Sequence, residues 1–143
     1  MLATAICASL LAQLIKVLLN LFIFHRFIAE RMWGAGGMPS SHSATVCAMV
    51  VATGRYCGVN SPIFAIAAVL SIIVMYDAMG VRYETGEQAK VLNRMFTEWM
   101  DQGFEQFQLP HGKKLKEMVG HTPIEVVTGA ALGIVLGFAM PMV

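Results

Sequence analysis

Charged side chains are scarce in this chain of 143 residues, where Asp, Glu, Lys and Arg together make up 13%. Soluble domains carry about 25% of such residues, so the composition argues against a soluble protein. The formal net charge of +1 excludes a strongly basic nucleic-acid-binding protein, and no nucleic acid partner is expected. Hydrophobic residues make up 57%. The sequence therefore predicts an integral membrane protein, and its length predicts a single domain over residues 1–143.

Cysteine is also rare, and the number and spacing of the cysteines argue against disulfides and against a metal site. Three cysteines are an odd number, and no pair has the spacing of a metal site. We predict buried free thiols at Cys7, Cys47 and Cys57, without disulfides. The N-terminus also lacks the positive residue that precedes the apolar core of a secretory signal. The first apolar run is therefore predicted to be a retained membrane segment.

Four apolar segments are present, at about residues 2–24, 42–57, 62–80 and 122–143. The first has the roughly 20 residues that a membrane crossing needs, whereas two of the others are short. The segments predict an all-α membrane bundle of about four apolar helices. The polar stretch 81–121 begins with apolar residues at helical spacing, which predicts an amphipathic connecting helix on the membrane surface or docked on the bundle. Residues 106–114 predict a turn or loop.

The distribution of positive charge predicts the topology. If all four segments cross, the connections 25–41 and 81–121 lie on one side of the membrane. Those connections hold eight of the ten Lys and Arg residues, namely Arg26, Arg31, Arg82, Lys90, Arg94, Lys113, Lys114 and Lys116. The positive-inside rule then places the charged connections in the cytoplasm or its organelle equivalent. His42, His121 and Arg82 are consequently predicted to meet at that face.

A Gly-, Pro- and Ser-rich stretch at residues 36–43 separates the first two apolar segments. Pro39 restricts the residue before it, and Ser40 or Ser41 is suited to cap the helix that follows. A helix start carries unpaired N–H groups and a partial positive charge, so it is a natural anion site. His42 lies in the first turn, within reach of such an anion. The plainer interpretation is a capped helix start without chemistry.

A second histidine, His121, begins the last apolar segment with Glu125 one helical turn away. A carboxylate at that spacing can accept the Nδ1–H of the imidazole and leave Nε2 available as a nucleophile. Residues 122–125 also form a capping box with Pro123 at the first helical position, which needs no function. Glu125 does not easily serve both roles, and local sequence leaves the choice open.

Two further charges lie within apolar segments, where a charge usually faces a polar interior or a pathway. Lys16 shares one face of the first segment with Gln13 and Asn20, and snorkelling to the interface is its alternative role. Asp77 lies near the end of the third segment, where it is expected to support the site by pairing with Lys16 or Arg82, and a direct catalytic role is its alternative. Three glycines at four-residue spacing predict close helix packing within this chain or between copies, at Gly129, Gly133 and Gly137.

Together these motifs resemble a known superfamily. Residues 39–42, Pro-Ser-Ser-His, resemble the Pro-Ser-Gly-His motif of the type 2 phosphatidic acid phosphatases, whose superfamily includes the vanadium-dependent haloperoxidases. Residues 121–126, followed by Gly129, resemble its last motif, His-x3-Asp-Val with a glycine soon after. Residues 36–44, 75–82, 86–93 and 115–129 are similar to the small divergent branch of that superfamily.

The resemblance implies hydrolysis of a phosphomonoester or pyrophosphate on a lipid, at the membrane and without a metal or other cofactor. It implies that His121 is the nucleophile, that Glu125 replaces the orienting Asp, and that His42 protonates the leaving alcohol. Ser40 and Ser41 would hold phosphate oxygens together with the helix start. Backbone donors and basic side chains would neutralise the developing charge.

The chain departs from the superfamily pattern at several positions. Leu115 stands where the last motif has Arg, six residues before the nucleophile. Lys116 or Lys114 could supply charge next to it, although Lys lacks the forked geometry of Arg. The first motif has no clean match, and Lys16 is the best candidate for its Lys, with Arg26 or Arg31 as weak candidates for its Arg. Arg82 could compensate, because the topology places it at the same face.

These losses keep a second function open, a catalytically silent bundle that binds a phosphorylated lipid or a partner protein at the same face. A small transporter subunit is a third class, which rests on Lys16 and Asp77 alone. Four short spans bury little surface, so a homodimer is expected.

Overall fold

The computed structural model describes residues 1–24, 37–102 and 114–141, which form helices and short connections. The described residues contain five helices and no strand, which confirms the predicted all-α bundle. The bounds are α1 at Leu2–Phe24, α2 at Ser41–Cys57, α3 at Pro62–Met79, α4 at Val81–Asp101 and α5 at Pro123–Ala139. The last helix therefore ends a few residues before the predicted boundary.

Helix α2 is the centre of the bundle and packs against α1, α3 and α5. Its contact with α5 is the closest, because three glycines along α5 face α2. Gly129 lies against the carbonyl of Ser40, Gly133 against that of Ala44, and Gly137 against Val51. The two helices therefore run parallel with both starts at one end. The glycine stripe serves packing within this chain, one of the two arrangements predicted for it.

Helix α1 runs antiparallel to α2 and closes the core. Ala8 and Ala12 of α1 pack with Ala44 and Ala48 of α2, and all four are fully buried. Small side chains let the helix axes approach closely, as in other membrane bundles. The Gln13 amide then donates to Ser41 Oγ at 3.3 Å. The C-terminal half of α1 is thereby brought to the end of the bundle where α2 and α5 begin.

The opposite end of the bundle is held together by an arginine. Arg55, in the last turn of α2, donates through Nη1 to the carbonyls of Gly137, Phe138 and Met140 at 2.6, 3.0 and 2.9 Å. A cation at a helix C-terminus satisfies carbonyls that lack helical partners. Arg55 thus has a structural role at the end remote from His42.

Helix α4 continues from α3 after Gly80 and carries the segment that leads into α5. This segment, residues 114–121, is the strap: it has no helical structure and lies along α4. The Asn93 amide donates to the Leu115 carbonyl at 2.9 Å, and Asn93 Oδ1 accepts from the Leu115 N–H at 2.9 Å. Asn93 also donates to Glu117 Oε1 at 2.8 Å. The amphipathic helix predicted for this region is present, and the strap is held on it.

Among the residues that the structure describes, two helical stretches are long and apolar enough to cross a membrane, Leu2–Phe22 and Pro62–Asp101. The second comprises α3 and α4, and the apolar Pro123–Ala139 is shorter. Their large apolar side chains are widely exposed, as a lipid-facing surface requires.

The prediction that all three cysteines are buried is wrong for two of them, because Cys7 and Cys57 are exposed and only Cys47 is buried. Arg26, Arg31, Lys113 and nearly all of the predicted loop at 106–114 lie outside the described residues.

Candidate functional site

Two histidines that are far apart in the chain meet at the end of the bundle where α2 and α5 begin. The ring centroids of His42 and His121 are 5.8 Å apart, and the ring planes are inclined by 75°. His121 is 1% exposed, whereas His42 is exposed. One imidazole is therefore held inside the protein while the other stands at the surface beside it.

The strap delivers His121 to this position through backbone contacts. Gly120 lies against the backbone of Arg82 and Tyr83, and Gly86 lies against the backbone of Glu117. A Cβ at either glycine would overlap the neighbouring main chain, so the strap and α4 can approach this closely only with glycine there. The His121 N–H then donates to the Ala78 carbonyl of α3 at 2.9 Å. The backbone of His121 is consequently bound to α3 just before α5 begins.

His42 is positioned by the capped start of α2. Ser40 is the N-cap, and its Oγ accepts from the Ser43 N–H at 3.4 Å and from the Ser43 hydroxyl at 3.1 Å. The Ser40 N–H donates to the Glu125 carbonyl at 2.9 Å, which joins the starts of α2 and α5. The side chain of His42 projects from this fixed first turn.

A cavity of about 140 Å³ lies between the two histidines and the end of α3. This volume is several times what a single water molecule requires. Its walls contain both imidazoles, two apolar side chains and one ion pair, and they are formed by His42, Val74, Asp77, Ala78, Arg82 and His121. Arg82 Nε contacts Asp77 Oδ2 at 2.5 Å. Of the two partners that the sequence allowed for Asp77, the structure shows Arg82.

Lys16 lies buried close to the cavity, with 1% of its surface exposed. Its aliphatic chain packs on Gly37, whose φ of 88° is readily adopted only by glycine. The Lys16 ammonium is near enough to act electrostatically on His121 and on Glu125. The predicted interior position of Lys16 is therefore observed, and the snorkelling alternative is not.

The surroundings of His121 favour its neutral form. Burial, together with the positive charges of Lys16, His42 and Arg82, lowers the pKa of His121 from 6.5 to about 4. The imidazole of His121 is therefore unprotonated at neutral pH, as an attacking nitrogen must be.

The lowered pKa predicts a pH-dependent loss of stability. Between pH 6.5 and about 4 the unfolded chain protonates His121 and the native chain does not. The native state should therefore lose up to about 3 kcal/mol as the pH falls through that window, with no further loss below it. Unfolding in denaturant at several pH values, for the wild type and for His121→Gln, measures this contribution as the difference between the two. Parallel curves for the two proteins would contradict the prediction.

Glu125 has the capping role that was one of its two alternatives. Its Oε2 accepts from the Thr122 N–H at 2.9 Å, which completes a capping box at the start of α5 with Pro123 at the first helical position. The carboxylate keeps further acceptor sites, and an orienting contact with His121 stays a prediction.

The side chains of three predicted phosphate ligands do not line the cavity. Ser40 is fully buried with its hydroxyl in the helix cap, and the Ser41 hydroxyl accepts from Gln13. Lys116 is exposed on the strap and does not line the cavity. The cations that the structure places near the histidines are Lys16 and Arg82.

The sequence interpretation did not identify the residues that hold the strap. Asn93, Gly86 and Gly120 have no chemistry of their own, and their function follows only from backbone contacts between α4 and the strap. A buried amide in an otherwise amphipathic helix is the signal that could have indicated Asn93, which is 5% exposed.

Comparison with known proteins agrees with the motifs of the site. Residues 1–136 match the model of the Divergent PAP2 family, which covers the strap, both histidines and nearly all of α5. The chain is also 38% identical over 141 residues to the Uncharacterized membrane protein YuiD of Bacillus subtilis (strain 168), covering 94% of this chain and 89% of that protein. No solved structure matches the chain. The predicted divergent branch is thereby confirmed, and the chain is a membrane protein that belongs to the Divergent PAP2 family.

Proposed function

We propose that this protein is a lipid-phosphate phosphatase that hydrolyses a phosphomonoester, or a pyrophosphate, through a phosphohistidine intermediate. The observation that carries the proposal is the pair of imidazoles 5.8 Å apart beside a cavity that also contains Arg82. One buried neutral histidine and one accessible histidine are what a nucleophile and an acid–base catalyst require.

In the first step, Nε2 of His121 attacks phosphorus and forms an N–P bond while the P–O bond to the lipid breaks. His42 gives its proton to the leaving alcohol, which departs neutral. Arg82 and Lys16 offset the charge on the phosphoryl oxygens without taking part in bond making. Accessibility supports this division of roles, because His42 is exposed whereas His121 is buried.

In the second step, water attacks phosphorus, the N–P bond breaks, and His42 takes the proton from the water. Orthophosphate leaves, and His121 returns to its neutral form. Each proton that His42 donates in the first step is thus recovered in the second. The catalytic set is His121 and His42, with Arg82 and Lys16 as phosphate-binding cations.

A phosphate-release screen of the purified protein against lipid phosphates tests the proposal. Phosphatidic acid, phosphatidylglycerophosphate and isoprenyl phosphates are the substrates to compare, each presented in mixed micelles. We expect release from at least one of them and inhibition by orthovanadate, which mimics the five-coordinate transition state. Absence of release from every lipid phosphate would contradict the proposal.

The catalytically silent bundle is favoured by one observation. Leu115 occupies the position of the motif arginine and lies on the strap, with 36% of its surface exposed, so this position supplies no arginine to a phosphate. A silent bundle would bind orthovanadate or inorganic phosphate at the cavity and release nothing. Sidedness also stays a prediction, with the site at the cytoplasmic face or its organelle equivalent.

A further inference from the structure

We infer that Asp77 is a positioning residue that holds the Arg82 guanidinium over the cavity in the orientation that binds phosphate. The inference rests on the proposed phosphate site and adds to it the residue that aims its arginine. The observation behind it is that Asp77 and Arg82 form an ion pair at the cavity wall itself.

The geometry of the pair explains how one residue can aim the other. Asp77 Oδ2 accepts from Nε of Arg82, which lies at the base of the guanidinium plane. When the guanidinium is bonded through Nε, its plane is fixed, and its two terminal nitrogens, Nη1 and Nη2, stay available to another ligand. Those nitrogens supply the forked donor set that matches two phosphate oxygens. Asp77 therefore fixes a plane that would otherwise rotate about the side-chain torsions of Arg82.

The energetics of the pair argue against a stabilising role. The side chains of Arg82 and Asp77 are 50% and 39% exposed, and ion pairs with that exposure contribute only about 0–1 kcal/mol to folding. An acidic side chain beside an anion site also repels the anion, so its presence there needs an explanation. A carboxylate at this position is consequently explained by what it does to Arg82 and not by stability.

Positioning of Arg82 and simple repulsion of the anion predict opposite changes in phosphate affinity for Asp77→Asn. If Asp77 positions Arg82, the amide loses the charge-assisted contact and phosphate binding weakens by about tenfold. If Asp77 is only a neighbouring negative charge, its removal strengthens phosphate binding. The thermal midpoint should change little in either case, because the pair is exposed.

A matched control is available on α4. Lys90 and Glu87 form an ion pair at 2.6 Å with side-chain exposures of 52% and 43%, and neither residue lines the cavity. Glu87→Gln removes a carboxylate from a comparable pair without touching the site. We expect it to bind inorganic phosphate as the wild type does.

A double-mutant cycle separates positioning from any independent effect of Asp77. The variants are Asp77→Asn, Arg82→Gln and the two combined, measured for binding of inorganic phosphate by titration calorimetry on the full chain in detergent. Lys16 and the two histidines stay in place, so residual binding at millimolar phosphate should remain measurable. We expect Asp77→Asn to weaken binding about tenfold in the wild type and to have no further effect when Arg82 is Gln.

Several outcomes would overturn the inference. Unchanged or tighter binding in Asp77→Asn shows that the carboxylate does not aim Arg82, and an equal loss with and without Arg82 shows that it acts elsewhere. A wild type that binds no phosphate contradicts both the inference and the proposed site. A wild type that binds phosphate but hydrolyses no lipid phosphate contradicts the proposed function alone, and the cycle still decides the role of Asp77.

Discussion

His121→Ala should reduce phosphate release from the preferred lipid phosphate to the background of the assay, a loss of at least ~10⁴-fold in kcat. The variant removes the atom that forms the N–P bond, and no other described imidazole lies beside the cavity except His42. Rapid-quench experiments with labelled substrate should show a phosphorylated protein for the wild type and none for the variant. Phosphohistidine is labile in acid and stable in base, so the quench must be alkaline.

His42→Ala should behave differently because its role depends on the leaving group. With an alkyl phosphate, loss of the proton donor should lower kcat by about 10²–10⁴-fold. With p-nitrophenyl phosphate, whose leaving group needs no proton, the first step should recover and phosphorylated protein should accumulate, since His42 is still missing as the base. The same substrate should not rescue His121→Ala. The assignment of His121 as nucleophile and His42 as acid would be contradicted if p-nitrophenyl phosphate rescued both variants equally. Phosphate release by His121→Ala at the wild-type rate would contradict it as well.

Glu87→Gln is the control for both variants, since it alters an exposed residue that does not line the cavity. Thermal unfolding in the same detergent should give comparable midpoints for the wild type and the control. His121 is buried, so His121→Gln, which fills more of its volume than Ala, serves as the second variant that keeps the packing. Both substitutions at His121 should lack phosphorylated protein.

Much of this site could be predicted from the sequence because its parts are local. Pro39, the serine cap and Pro123 each mark a helix start by short-range backbone chemistry, and the structure has helices beginning at Ser41 and Pro123. The convergence of His42 and His121 followed from counting apolar segments. Contacts were not needed to predict it, and the two rings lie 5.8 Å apart.

The features that the sequence did not reveal depend on contacts between distant segments. Lys16 has one role if its helix face meets α2 and another if that face meets lipid, and only packing decides between them. The position of the strap also depends on distant contacts, because the Asn93 side chain bonds to the backbone of Leu115, and no sequence pattern identifies that partner. Ser40 and Ser41 were assigned to phosphate by their motif, whereas their hydroxyls are used in the cap and by Gln13.

Gly129→Ala should reduce phosphate release by about 10²-fold, although the residue touches no substrate. A Cβ at Gly129 would overlap the Ser40 carbonyl, which also accepts the Ala44 N–H at 3.0 Å as α2 begins. Main chain cannot move aside as a side chain can, so α2 and α5 must separate at the end that carries both histidines. A displacement of about 1 Å in a catalytic pair is enough for such a loss.

Gly137→Ala provides the matched comparison within the same stripe. Its Cβ would overlap Val51, near the end of the bundle where Arg55 binds the last carbonyls of α5. Both variants should therefore be destabilised by about 1–3 kcal/mol through overpacking. Only Gly129→Ala should also lose activity at temperatures where both proteins remain folded, because only it separates the helix starts. Equal activity of the two variants under those conditions would mean that the spacing of α2 and α5 at Ser40 does not set the geometry of the histidine pair.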